Sequence, residues 1–198
     1  MSKLSPRQKR HELTRQAILQ AAKKIVAEEG VSALSMRAIA DKIDYSPSGL
    51  YEYFGSKEDI ISELSKEGFD RLGADLTQID PTLSPSERLT EAGLVYLRFA
   101  ASHPELYGLM FGHYSGHQPT IEEFKTHPVF EILTGIISEG AQKGEFDLNN
   151  QCETEALAFG CWAQVHGMAI LREMLPGQHF DQASRLILQR QVLGLSKS

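Results

Sequence analysis

The sequence predicts an all-α chain of about nine helices, because apolar residues recur with helical spacing almost from end to end. Two further observations support this class. Serine, threonine, proline and glycine punctuate the pattern where helices should begin and end. No segment alternates apolar and polar residues as a half-buried strand would. The expected architecture is a three-helix N-terminal domain containing a helix-turn-helix, followed by a larger helical bundle.

The elements follow in order. Ile18, Ala21, Ala22, Ile25 and Val26 mark one face of a first helix, which Gly30 ends. Met36, Ile39, Ala40 and Ile43 repeat the spacing in a shorter helix that Ser35 can cap. Asp44-Tyr45-Ser46-Pro47 is a turn, with Ser46 as cap and Pro47 as first residue of a third helix. That helix carries Leu50, Tyr51, Tyr53 and Phe54, and Gly55 stops it. Ser56 caps a fourth, long helix through Ile61, Leu64, Leu72 and Leu76, which Gly68 and Gly73 weaken. Ile79 to Pro85 is a linker. Ser84 and Glu87 then form a capping box for a helix reaching about Ser102, broken by His103-Pro104. A short element spans Glu105 to Phe111, and Gly112 to Pro119 reads as loop. Thr120 and Glu123 form another box before a helix reaching about Lys143. The last two helices run from about Cys152 to Met174 and from about Asp181 to Leu193, separated by Pro176-Gly177.

Composition narrows the class. The 198 residues are 41% hydrophobic and 23% charged, which is ordinary for a globular protein and excludes disordered, collagenous and disulfide-scaffold chains. No apolar run approaches the ~20 residues needed to cross a bilayer. Met1 to Arg15 is polar and basic, unlike a secretory leader. Cys152 and Cys161 are too far apart to pair within one helix, so a reduced, cytoplasmic protein is expected. The net charge of −6 is unevenly spread. Residues 1–57 hold ten Lys and Arg against six acids, while 58–198 hold ten against twenty. A basic start on an acidic body suits a polyanion-facing module joined to something with another task.

The second and third helices with their four-residue turn form a helix-turn-helix pattern. The second helix of such a motif lies in the DNA major groove, so its outer face must be short, polar or aromatic. Leu50 and Phe54 face inward, leaving Ser46, Ser48, Gly49, Tyr51 and Tyr53 as candidates for the outer surface. Small residues at 48 and 49 permit close approach to the duplex. Helix starts at Ser35 and Ser56 offer backbone N–H groups to phosphates, with Lys57 at the second.

Several short motifs carry a family resemblance. These are Ala17-Ile18-Leu19-Gln20-Ala21-Ala22, Glu29-Gly30, Ser35-Met36-Arg37-Ala38-Ile39-Ala40 and Gly49-Leu50-Tyr51-Glu52-Tyr53-Phe54-Gly55-Ser56-Lys57-Glu58. In this order and spacing they resemble the tetracycline-repressor-like (TetR) family of bacterial transcription regulators. The family usually has Gly-Val in the turn where this chain has Asp44-Tyr45; aspartate tolerates a left-handed turn better than most residues. The resemblance implies phosphate contacts from Ser35, Arg37 and Lys57. It implies base or backbone contacts from Pro47, Ser48, Gly49, Tyr51 and Tyr53, beside the cap Ser46. A basic arm around Arg7, Lys9 and Arg10 would either reach further along the duplex or be disordered, with order expected from about residue 8. Residues 1–57 would form the DNA-binding domain and residues 58–198 a ligand-binding and dimerisation domain.

The second half resembles the family's subgroup named for Trp, His and Gly, through His103-Pro104-Glu105-Leu106-Tyr107-Gly108-Leu109-Met110-Phe111 and Trp162-Ala163-Gln164-Val165-His166-Gly167. The resemblance implies a homodimer on a palindromic operator, probed by an unknown small apolar effector that releases it. The candidate cavity wall is Tyr96, Phe99, Tyr107, Met110, Phe111, Phe130, Ile137, Trp162 and His166; the same residue types also build plain cores. The helices at about 152–174 and 181–194 would carry the dimer surface, where Ala156, Ala158, Gly160, Ala163, Gly167 and Ala169 are small.

No cofactor, metal or catalytic residue is expected. His113 and His117 lie in a glycine-broken loop with no cysteine nearby. No phosphate loop, nucleophile elbow or dinucleotide fingerprint occurs. The competing readings are a small helical enzyme and a helical protein-binding scaffold, neither of which should bind duplex DNA.

Overall fold

The computed structural model describes residues 5–112, 127–148, 151–174 and 178–194. Among them are nine α-helices, one 3₁₀ turn and no strand. The helices are α1 (Pro6–Glu29), α2 (Met36–Lys42), α3 (Pro47–Leu50), α4 (Lys57–Thr77), α5 (Pro85–Ser102), α6 (Pro104–Phe111), α7 (Pro128–Gln142), α8 (Gln151–Met174) and α9 (Gln178–Leu193).

Helix α1 starts earlier than expected. Ser5 accepts a hydrogen bond from the Gln8 backbone while the Gln8 side chain accepts one from the Ser5 backbone, and Pro6 occupies the first helical position. The basic arm is therefore helical: Arg7, Lys9 and Arg10 occupy the first turns of α1 and are exposed. Helix α3 is shorter than expected, since regular helix ends at Leu50 and residues 51–53 form a turn. A bond from Phe54 N–H to the Leu50 carbonyl, at 3.0 Å, carries the helical sense through that turn. Helix α7 begins at Pro128. His127 is extended and its ring accepts from the Val129 N–H, so the proline fixes the start of the helix. Thr120, Glu123, His113 and His117 lie outside the described residues.

The chain divides into two compact units, Met1–Gly68 with Pro104–Gln118 and Phe69–His103 with Pro119–Ser198. The division falls inside α4, and α6 belongs with the first unit. The first unit surrounds one apolar core. Ile18, Ala22 and Ile25 of α1 meet Leu34 just before α2, Ile39 and Ala40 of α2, Leu50 and Phe54, and Ile60, Ile61 and Leu64 of α4. Leu109 of α6 closes it. The glycine at 68 does not break α4; it makes room for α6, because a Cβ there would lie 2.6 Å from the Met110 sulfur. Around this core, charged side chains clasp the helices. Lys42 of α2 holds Glu28 of α1 at 2.7 Å, and Lys23 pairs with Glu67. The Lys42 ammonium holds the Glu28 carboxyl below its ordinary range.

In the second unit α5 is central, packed by α7, α8 and α9. Most of its residues are buried, including Leu89, Leu94, Leu97, Phe99 and Ala100. Ser84 and Glu87 form the expected capping box at its start. Arg88 of α5 pairs with Glu139 of α7, and Glu145 accepts from both the backbone and hydroxyl of Ser86 at 3.0 and 2.8 Å. Among the described residues no helix is long and apolar enough to cross a membrane.

Candidate nucleic-acid interface and sensor cavity

The turn between α2 and α3 is built by a left-handed residue. Asp44 has φ 53°, the only non-glycine with positive φ among the described residues, so it does what glycine does elsewhere at this kind of turn. The Tyr45 N–H returns to the Ala40 carbonyl at 3.0 Å and closes the turn. Ser46 then caps α3, its hydroxyl accepting from the Gly49 N–H at 3.1 Å and sharing a bond with the Ser48 hydroxyl at 3.2 Å. Leu50, fully buried, anchors the inner side of this short helix.

What remains outward is Ser46, Pro47, Ser48 and Tyr51, all exposed, with Tyr51 57% open. Ser35 caps α2 through the Ala38 N–H at 3.1 Å. The Arg37 side chain is 86% exposed, its nearest acid being Asp41 at 4.0 Å. Ser56 accepts from the Asp59 N–H at 3.1 Å, and the neighbouring Lys57 is half-buried. All nine residues expected to contact DNA thus belong to the first unit, most on its surface.

Tyr53 differs from Tyr51. It is half-buried, its ring 4.6 Å from that of His11 on α1 and edge-on to Tyr45 at 6.3 Å. Hydrogen bonding to Tyr53 raises the pKa of the Tyr45 phenol above its ordinary value. Tyr45 itself was absent from the sequence-derived set. Its ring is 41% exposed and covers Gly49: a Cβ at 49 would lie 2.7 Å from the Tyr45 ring. Gly49 is therefore small for the sake of Tyr45 as much as for the duplex. The signal was available as an aromatic residue in the turn where a smaller one is usual. Beneath them, the Arg15 guanidinium sits 4.4 Å over the Phe54 ring and pairs with Glu63 at 2.9 Å.

In the second unit, side chains of α4, α5, α7, α8 and α9 line a partly open apolar cavity of about 50 Å³. Tyr96 and Trp162 of the expected wall line it, with Leu76, Leu89, Leu133, Val165, Leu188 and Val192 among others. His166 touches both: its Nδ1 is 3.0 Å from the Tyr96 hydroxyl, and its ring stacks on Trp162 at 5.2 Å. Burial pushes the His166 imidazole below its ordinary value, favouring the neutral ring. Phe130 and Ile137 are buried in α7. Phe99 lines a separate, more polar cleft with Asp75, Arg98 and His103. Tyr107, Met110 and Phe111 belong to the first unit, where the Tyr107 and Phe111 rings pack at 4.9 Å. The sequence set thus divides between two units because aromatic residues at helical spacing mark cores and cavities alike. Sequence reasoning missed the aliphatic lining and the two polar residues on it, Cys161 and Gln191.

Cys161 is a buried free thiol, pushed up to about 11 by burial and so unreactive at neutral pH. Among the described residues no cluster of His, Cys, Asp or Glu could hold a metal ion.

A family model for bacterial regulatory proteins of the tetR family matches residues 18–64, and one for the tetracyclin repressor-like C-terminal domain matches residues 89–192. The chain is 36% identical over 88 residues to the HTH-type transcriptional repressor KstR2 of Mycolicibacterium smegmatis, covering 44% of this chain and 42% of that one. The match therefore spans under half the length of that relative. It is 26% identical over 161 residues to the HTH-type transcriptional regulator BetI of Rhizobium meliloti, covering 81% and 78%. A solved bacterial regulatory protein of the tetR family from Rhodococcus RHA1 shares its fold, with a TM-score of 0.70 at 21% identity over 93% of this chain and 97% of that one.

Proposed function

The chain belongs to the TetR family of bacterial regulatory proteins, and from that premise we propose that it is a cytoplasmic, effector-released transcriptional repressor that binds a palindromic operator as a homodimer. The observation that carries this reading is the exposed Ser46–Tyr51 rod. It is capped, short, anchored by one buried leucine and stripped of large aliphatic groups on its outer side. Arg37 and the basic first turns of α1 supply positive charge to the same unit. In this reading residues 1–57 contact DNA, and residues 58–198 bind effector and pair the chains.

The dimer would form through α8 and α9. Ala156, Phe159, Gly160, Ala163, Ile170 and Leu171 form an exposed stripe on α8, and Leu186, Ile187 and Leu193 one on α9. Stripes of this kind are unusual on a monomer's surface. Ala158 and Ala169 of the small-residue set are buried and serve packing within the chain. Trp162, His166 and Gly167 support assignment to the family's subgroup named for these residue types.

The effector site would be the α5–α7–α8–α9 cavity. Its present room is far below the ~300 Å³ at which drug-sized pockets begin, so binding must move its walls. Helix α4 is continuous from the reader core, with Ile60, Ile61 and Leu64, to the cavity wall at Leu76. An effector that shifts α4 would change the separation of the two readers, which must lie ~34 Å apart to fit successive major grooves. Release then requires different effector affinities for the two arrangements, typically by ~1–3 kcal/mol. Selection of bound fragments from a random duplex pool tests the reading: a palindromic consensus is expected, and recovery of random sequence contradicts it. Arg37→Ala should weaken all sequences alike and lower the salt slope by about one.

A further inference from the structure

Two observations define what the cavity can hold. Among the described residues no Asp, Glu, Lys, Arg or His side chain lines it. An ionised ligand group would therefore lose its hydration with no opposite charge to meet, a cost of several kcal/mol. The second observation is a misplaced donor. Gln191 of α9 is half-buried on the lining, and its amide nitrogen donates to the Cys161 sulfur at 3.5 Å. Thiol sulfur is a weak acceptor, and a carboxamide N–H gains more from oxygen. Cys161 stays protonated at neutral pH, so it gives this donor no thiolate to hold.

The geometry points to an uncharged, hydrophobic effector carrying a single carbonyl or hydroxyl oxygen, which Gln191 recognises by replacing the Cys161 sulfur as its hydrogen-bond partner. This rests on the cavity being the effector site. The second polar position is already engaged, since the Tyr96 hydroxyl is bonded to His166. Charged lipids and acyl carboxylates are excluded from the cavity by the same argument. Leu188, Gln191 and Val192 face the cavity from α9, while Leu186, Ile187 and Leu193 of that helix are exposed. A ligand seated on Gln191 therefore pushes on the helix proposed to carry the dimer face.

Trp162 is the chain's single tryptophan and lines the cavity, so its emission reports occupancy without DNA. The full-length protein is titrated with methyl heptyl ketone, indanone, indane, nonanoate and nonylamine. Saturable changes are expected with both ketones, at affinities about tenfold or more above the chain-matched ions. Indanone should exceed indane by about tenfold, the worth of one hydrogen bond. Gln191→Leu and Gln191→Met should erase the indanone preference while indane still binds, which shows that the cavity survives the substitution. Equal binding of nonanoate, an indanone preference that persists in both variants, or no response of Trp162 to any ketone overturns the assignment. Operator binding is measured separately. Indanone binding that leaves the operator complex intact upholds the ligand class and overturns the regulatory reading; nonanoate-driven release without ketone binding does the reverse.

Discussion

Tyr51 and Tyr53 stand two residues apart and have different work. Tyr51 is open, and its replacement by Ala should leave the melting temperature unchanged while reducing operator affinity by about tenfold, the order of one good contact. Tyr53 packs on His11 and Tyr45, so Tyr53→Ala should lower both stability and affinity, for all sequences alike. Thermal melts paired with operator titrations separate the two; a sequence-specific loss with unchanged stability in Tyr53→Ala would contradict this division. Gly49→Ala gives a related test. The added methyl meets the Tyr45 ring at 2.7 Å, so the ring must swing away. Affinity should fall, and Tyr45→Ala in the same chain should restore part of it by removing the obstacle. Sequence pattern alone placed both tyrosines on the outer surface, because helical spacing gives direction but not the neighbour that α1 supplies. His11 lies some forty residues away in sequence, and no local rule brings it there.

Helices with strong caps were legible and the rest less so. Ser35, Ser46, Ser56 and Ser84 all cap where the sequence places them, since a hydroxyl three residues before a free N–H is a local event. The start of α7 at Pro128 was not, because a proline suits the first turn of a helix as well as a break. The cavity wall was the hardest to read: its aliphatic lining comes from five helices, and long-range packing chooses which side chains face the gap. His166 belongs to this level, as it couples α5 to α8 through Tyr96. Burial lowers both His166 and His127, so the unfolded chain takes up protons that the folded chain refuses. Stability present at neutral pH is therefore lost as pH falls through the unfolded value of 6.5, and the loss levels off below the folded values. Melting temperatures measured from about pH 7.5 to about pH 5.5 should fall, and His166→Asn should flatten part of the slope. A flat profile in the parent protein would contradict the buried, neutral imidazoles.

The charge asymmetry between residues 1–57 and 58–198 was visible in the sequence, and the helix-turn-helix from spacing. The division inside α4 was not, because a helix that serves two cores shows one continuous periodicity. In the proposed dimer, pairing of chains would join the parts into a working device, since one short reading helix makes too few contacts for specificity and two on a palindrome make enough. Leu186→Glu combined with Phe159→Glu places charge on both exposed stripes. It should yield folded monomers by sedimentation, with operator affinity reduced by at least about a hundredfold through loss of the second half-site. The most direct test of the whole account is titration of a selected palindromic duplex with the parent protein across a range of salt concentrations, with stoichiometry determined by native mass spectrometry. Two chains per duplex are expected, with an affinity that falls steeply and log-linearly as salt rises, from counterion release. A single bound chain, or binding that ignores both sequence and salt, would contradict it.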